Sequence, residues 1–177
     1  MHRVKPRIAV EVGVWLGSTT EMIAEEMKAQ LNGGLFIAID TWQGAPEFRL
    51  SRNDPTRDLR LKNGIPMVSF DFLSNMVHHK VSDMVAPFAA TSSGAAYTFA
   101  QFNIIVDLIH IDGDHSKVNV ERDIQDWWPL LRPGGVMVMD DYGESWLGVV
   151  EAVNNFNRTA KLESHVEGVK WWVQKPW

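Results

Sequence analysis

Two apolar runs that end in carboxylates constrain this chain more than any other feature. Ile104–Ile111 leads into Asp112-Gly113-Asp114-His115, and Val136–Met139 leads into Asp140-Asp141. Runs this short, rich in Ile and Val and unbroken by alternation, suit strands covered on both faces, as parallel sheets are. In an open α/β sheet the carboxyl ends of parallel strands border one crevice, where ligands bind. Acids at two such ends, with a histidine beside them, would share that crevice. Like charges held close repel unless a cation or a proton lies between them. The pattern therefore predicts a site for a hard divalent cation such as magnesium, built on Asp112, Asp140 and Asp141. His115 is placed to act as a general base next to it.

The N-terminal part supplies the matching half of the fold. Ile8–Val12 is a short strand, Gly13-Val-Trp-Leu-Gly17 a turn, and Ser18-Thr-Thr-Glu21 reads as a capping box opening a helix. Ile23, Met27 and Leu31 fall on one face of that helix, and Asn32-Gly33-Gly34 ends it. Leu35–Ile39 is the next strand, closed by Asp40. Strand, glycine turn, helix and strand make a βαβ unit with a parallel pair.

Further along, residues from about 43 to 79 carry Pro46, Pro55, Pro66 and several arginines (Arg49, Arg52, Arg57 and Arg60). They read as a polar lid or insert with a helix near Met67–Val77. Met84–Ala90 is a strand weakened by Pro87, and Ser92–Ala100 a short helix. Ser116–Leu131 is a helix with Val120, Ile124, Trp127, Trp128 and Leu131 as its buried stripe, stopped by Pro133-Gly134-Gly135. Val149–Asn157 is helical, and Lys161–Val166 with Val169–Gln174 form a hairpin around Glu167-Gly168. The whole predicts an α/β fold: a Rossmann-like, doubly wound, mostly parallel sheet with a C-terminal antiparallel hairpin, one domain over residues 1–177.

Composition narrows the function. A net charge of −5 argues against a nucleic-acid partner. The absence of cysteine excludes disulfides and thiol catalysis and suits a cytoplasmic location. No signal peptide or membrane span is visible, so no membrane partner is expected. The paired tryptophans Trp127-Trp128 and Trp171-Trp172 read as core or as contacts of a homo-oligomer.

The remaining motifs point to a nucleotide-like ligand. The turn Glu11-Val-Gly13-Val-Trp-Leu-Gly17-Ser18 lets a ligand approach the backbone and offers free amides at the helix start. It is not G-x-G-x-x-G, because position 15 is Trp and position 18 is Ser. Glu11 stands where it can meet a cationic ligand group. Asp40, at the end of the second strand, is placed to hold a ribose diol, and Trp42 to lie against an adenine ring. His110 reads as a packed core histidine. His78-His79 reads as surface, without a clear acidic partner.

Glu11-x-Gly13-x-x-x-Gly17-Ser18 and Ile111-Asp112-Gly113-Asp114-His115, followed by Pro133-Gly134-Gly135 and Asp140-Asp141, resemble the class I S-adenosylmethionine-dependent methyltransferases. Within these they are similar to small-molecule O-methyltransferases related to the macrolide-sugar enzymes. The resemblance runs from about Val10 to Val173. It implies that Glu11, Gly13, Gly17 and Ser18 surround the methionine part of S-adenosylmethionine and Asp40 its ribose. Trp42 and the Thr91-Ser92-Ser93 turn would flank the adenine, with Ser92 and Asp112 touching the cofactor. Asp112, Asp140 and Asp141 would hold magnesium, and His115 would deprotonate the hydroxyl of a small-molecule acceptor. The chain begins almost at the first motif, without the N-terminal helices that often cover the substrate in that family. Two rivals stand beside this reading. One is a non-catalytic S-adenosylmethionine-binding accessory protein. The other is a nicotinamide-dependent oxidoreductase, whose G-x-G-x-x-G turn is missing.

Overall fold

The computed structural model describes residues 5–31, 34–45 and 59–177. Asn32 and Gly33, and the stretch with Arg49, Arg52, Arg57, Pro46 and Pro55, lie outside the described residues.

Seven strands form one sheet in the order β3-β2-β1-β4-β5-β7-β6. They are β1 (Ile8–Val12), β2 (Leu35–Asp40), β3 (Val85–Ala89), β4 (Val106–Ile111), β5 (Leu131–Met139), β6 (Ser164–Glu167) and β7 (Lys170–Gln174). The pairs β1–β2, β1–β4, β2–β3 and β4–β5 are parallel, and β7 runs antiparallel to both β5 and β6. This is the Rossmann-like arrangement with an antiparallel C-terminal pair that the sequence predicts. The chain order reverses between β1 and β4, so their carboxyl ends open a crevice there.

Among the described residues, five helices pack on the sheet: α1 (Ser18–Leu31), α2 (Val68–His78), α3 (Ser92–Gln101), α4 (Lys117–Trp127) and α5 (Leu147–Ala160). Successive side chains of a strand face opposite ways, and the core divides accordingly. Ala9, Phe36, Ala38 and Leu108 face Ile23 and Met27 of α1 and Phe72 and Met76 of α2. Val10, Val12, Ile109, Ile111, Met137 and Trp171 face α3, α4 and α5 through Phe99, Ile124, Trp127 and Val153. Trp127 and Trp171 are fully buried, whereas Trp128 and Trp172 are half-buried. Pro87 is tolerated because β3 is an edge strand.

Three local expectations change. The helix expected over Ser116–Leu131 stops at Trp127, where Trp128–Leu130 tightens into a 3₁₀ turn. Pro129 has no N–H to give to the carbonyl four residues back. Pro133-Gly134-Gly135 therefore stops nothing; those residues already belong to β5. The capping box also dissolves. The Glu21 amide donates to the Gly17 carbonyl, so the helix starts one residue earlier than a Ser18 cap requires. The Glu21 carboxylate instead lies 2.9 Å from His79 Nε2, with Glu25 at 3.2 Å from Nδ1. His79 is thus gripped by two acids, contrary to the expectation that it has none. The hairpin turn is Gly168-Val169, with Gly168 at φ +61°, a left-handed conformation that two-residue hairpins need.

Candidate functional site

The first half of the crevice is made by backbone. The amide of Gly13 donates to the Ile39 carbonyl at 2.9 Å, and that of Asp112 to the Val12 carbonyl at 2.8 Å. The ends of β1, β2 and β4 are so stitched together. Gly13 sits at φ +84°, and a Cβ there would come within 2.1 Å of the Asp112 carbonyl oxygen. Only glycine fits, and the cradle it leaves is backbone on both sides. Asp40 closes this half. Its Oδ2 accepts the Trp15 amide at 2.9 Å and its Oδ1 the Trp42 amide at 2.7 Å. Each oxygen keeps a lone pair for a further donor, so a ribose hydroxyl still has an acceptor here.

Several residues expected around a cofactor have other duties. Gly17 makes room for packing: a Cβ there would lie 2.6 Å from Met76 Cε and 2.8 Å from Phe72 Cδ2. Ser18 is exposed on the first turn of α1. Trp42 is not an open platform. It is 5% exposed, its ring is tilted on Phe72 at 5.3 Å, and its Nε1–H donates to the Trp15 carbonyl at 3.1 Å. A purine has no free Trp42 face to stack on, and that assignment is withdrawn. Glu11 is buried, with Oε2 taking the Thr20 hydroxyl and Oε1 lying 3.0 Å from His110 Nδ1. The cation Glu11 meets is therefore a histidine of the next strand, not a ligand amine. Ser92 is also engaged: its hydroxyl donates to Asp123.

The second half of the crevice is made by charge. Asp112 ends β4 and Asp140-Asp141 ends β5, as expected. The structure brings Asp112, His115 and Asp141 together, with one ligand atom of each within 4.8 Å of the others. His115 Nε2 lies 2.8 Å from Asp141 Oδ2, and the ring stacks on Trp146 at 3.9 Å and 25°. Gly148 lets α5 press onto the chain here, since a Cβ would come 2.5 Å from the His115 carbonyl. Asp140 does not join this group. Its Oδ2 pairs with Lys170 and lies 3.6 Å from His110 Nε2. Asp140 is held by Lys170 and His110, and Asp112, His115 and Asp141 are the three side chains that converge.

Burial sets the protonation. It pushes Asp112 up to about 6, and the Asp140 charge adds to the rise while His110 opposes it. His110 rises to about 9: burial pulls it down, but Asp140 and Glu11 outweigh that. Burial would raise Asp140 as well, yet His110 and Lys170 hold it well below the usual carboxylate range. A line of close polar groups, Thr20–Glu11–His110–Asp140–Lys170, therefore runs from the core beneath the site out to the half-exposed Lys170. Sequence reasoning read Glu11 and His110 separately. The signal was available: an acid and a base, each in the middle of an apolar strand, pair directly in register across β1 and β4. Lys170 had no such signal. Below this line, His110 and Lys170 also border a cavity of about 530 Å³ on the α1 side, with Leu108, Val138 and Trp172.

A family model described as a methyltransferase domain matches residues 10–142, which include every strand-end residue above. The chain belongs to the methyltransferase-domain family. One curated relative, the Sinorhizobium fredii protein y4gI, is 24% identical over 146 residues, which cover 80% of this chain. The chain spans only 14% of that relative's length. Among solved structures, the O-methyltransferase NovP shares 18% identity at a TM-score of 0.68, covering 99% of this chain and 74% of its own. A Bacillus cereus O-methyltransferase in complex with S-adenosylhomocysteine shares 15% at 0.69, covering 97% and 75%. TomG of Streptomyces achromogenes, involved in tomaymycin synthesis and solved with S-adenosylmethionine, shares 14% at 0.66, covering 97% and 74%. These likenesses establish the methyltransferase fold. Among the described residues, no helix is long and apolar enough to cross a membrane.

Proposed function

We propose that this methyltransferase domain, read as a single unit over the whole chain, transfers a methyl group from S-adenosylmethionine to a hydroxyl of a small molecule in the cytoplasm. The observation that carries the reading is the Asp112–His115–Asp141 group at the rim of the Gly13 cradle. The cradle fits the cofactor: its backbone is bare, and Asp40 keeps lone pairs for a diol. When bound, S-adenosylmethionine supplies an electrophilic methyl carbon, so the protein must orient the acceptor and free its oxygen lone pair.

His115 is suited to that task. Its Nε2, 2.8 Å from Asp141 Oδ2, holds its proton toward that carboxylate, so the imidazole takes the acceptor proton at Nδ1 and Asp141 stabilises the cation that forms. Trp146 fixes the plane of the ring. Asp112, half-buried on the next strand end, supplies an oxygen for the acceptor or for a divalent ion. The carboxylates of Asp112, Asp140 and Asp141 would hold such an ion, hard oxygen donors that suit magnesium or manganese and leave the His115 imidazole to take the proton. A bound cation would supply a Lewis acid that lowers the pKa of the hydroxyl.

The test is substitution. Asp141→Ala and His115→Ala should each abolish methyl transfer to hydroxylated acceptors while leaving S-adenosylhomocysteine affinity within about threefold, since neither touches the Gly13 cradle. Full activity in both variants would refute the assigned roles. Cofactor affinity without turnover or metal affinity in the wild type would favour the accessory reading. NAD binding in place of S-adenosylhomocysteine would favour the oxidoreductase.

A further inference from the structure

The two faces of the sheet are not covered alike. On one, α3, α4 and α5 pack over Ile109, Ile111, Met137 and Trp171, and all four are fully buried. On the other, among the described residues, α1 and α2 lie over β1 and β2, while Val136, Val138 and Trp172 stay half-buried. Parallel strands are ordinarily apolar because both their faces are covered. The cavity of about 530 Å³ occupies this less covered stretch. Leu108, Val136 and Val138 line it from the sheet, Met22 and Met27 from α1, and Trp172 from β7. A recess of this size with an apolar lining suits a small molecule, and methionines adapt to irregular guests. Three of the polar side chains on its border are already engaged: Gln30 with Glu26, Gln174 with the Gly134 carbonyl, and Lys170 with Asp140. A sugar would bring several hydroxyls to a floor that has no partners for them, which is costly.

The cavity is continuous in register with the reactive rim. Side chains two apart share a face of a strand. Leu108, His110 and Asp112 therefore follow one another along β4, and Val136, Val138 and Asp140 along β5. Four residues of strand from Leu108 to Asp112 span about 13 Å. The face that carries the rim carboxylates is thus apolar at one end and charged at the other. We propose that this cavity holds the apolar body of the methyl acceptor. The substrate class is then an amphipathic phenol or alcohol, about 13 Å from its hydroxyl to its far end, and not a free or nucleotide-linked sugar. The proposal rests on the methyl-transfer reading of the rim and deepens it. The oxygen–methyl bond forms at the rim as the sulfur–methyl bond breaks, and the hydroxyl proton passes to His115. The apolar body takes no part in that step; its burial orients the hydroxyl.

The experiment is calorimetric titration of the full chain, saturated with S-adenosylhomocysteine, with para-alkylphenols from ethyl to hexyl. Affinity should rise about two- to fourfold with each added methylene, because each buries its area against the floor. With S-adenosylmethionine, kcat/KM for methylation of the same series should rise in parallel. Val136→Trp fills the cavity from the sheet, and Met22→Trp fills it from an exposed position on α1, so one variant remains if the other does not fold. Either should hold the whole series within about twofold while S-adenosylhomocysteine affinity stays within about threefold of wild type. A flat series in wild type, or an undiminished slope in both filled variants, would overturn the proposal. Methylation that ignores chain length would leave the methyl-transfer reading intact and overturn this one. Chain-length-dependent binding that the variants abolish, with no phenol methylated, would overturn the acceptor role. If S-adenosylhomocysteine does not bind at all, the underlying reading fails, and the proposal with it.

Discussion

The two halves of the crevice use carboxylates in opposite ways. At the ends of β1 and β2, Asp40 has a backbone amide on each oxygen, and the glycine turn is fixed by hydrogen bonds. At the ends of β4 and β5, Asp112 is half-buried near Asp140 and Asp141, and its pKa is driven up to about 6. The first acid is satisfied by the protein and holds a shape. The second remains electrostatically strained in the absence of a proton, a cation or a polar ligand. A binding cradle and a reactive rim thus sit on adjacent strands, and the strain is confined to the side where chemistry is proposed.

The largest effect that separates the halves concerns turnover. His115→Ala removes the proposed base and should lower methyl transfer by about 10²–10⁴-fold, as loss of a positioned base does. Initial rates at saturating cofactor measure this. A comparable loss from a cradle substitution that leaves cofactor affinity intact would erase the distinction drawn here.

Stability should divide the halves the other way. Asp40→Ala strands two amides, those of Trp15 and Trp42, and should lower unfolding free energy by about 2–4 kcal/mol in denaturant titration. Asp112→Asn removes a charge the fold disfavours, and should leave stability unchanged or raise it at pH 7.5. If both substitutions destabilise alike, Asp112 is a structural acid and the contrast is lost.

How much of this was legible follows from the range of each interaction. The β1-α1-β2 unit and the acid-tipped strands were readable, because apolar runs, glycine turns and strand ends are local signals. Asp112, His115 and Asp141 were readable as neighbours because parallel strands bring their carboxyl ends together whatever the loops do. The pairing of Asp140 with Lys170 was not legible, because Lys170 arrives from β7 thirty residues later, and no spacing announces an antiparallel register. Trp42 was misread because an exposed-looking position after a strand end is decided by tertiary packing on Phe72.

Titration sharpens the comparison with a sign for each group. The folded state raises Asp112 from 3.8 to about 6, so it favours the protonated acid. That contribution is present at low pH and is lost as pH rises through about 6. His110 is raised from 6.5 to about 9, so its stabilisation is full below 6.5 and is lost as pH climbs through about 9. Melting curves should therefore show two separate losses on the alkaline side of these windows. The lower one should vanish in Asp112→Asn and the upper one in His110→Gln. A divalent cation should raise the melting temperature at pH 7.5 far more than at pH 5, where a proton already occupies Asp112. Equal cation effects at both values would argue against the metal.

The smallest expected effect tests how far the reactive half depends on rigidity. Trp146 touches His115 by ring stacking alone, at 3.9 Å and 25°, and such a contact is worth about 0.5–1.5 kcal/mol. Trp146→Leu keeps an apolar side chain at the start of α5 but no flat surface. It should lower turnover about three- to tenfold by letting the imidazole leave its productive plane, while KM for the cofactor, bound on the other half, stays constant. Trp146→Phe should recover most of the rate, because a smaller ring still stacks. A rate loss that phenylalanine does not rescue would mean that Trp146 only props up α5.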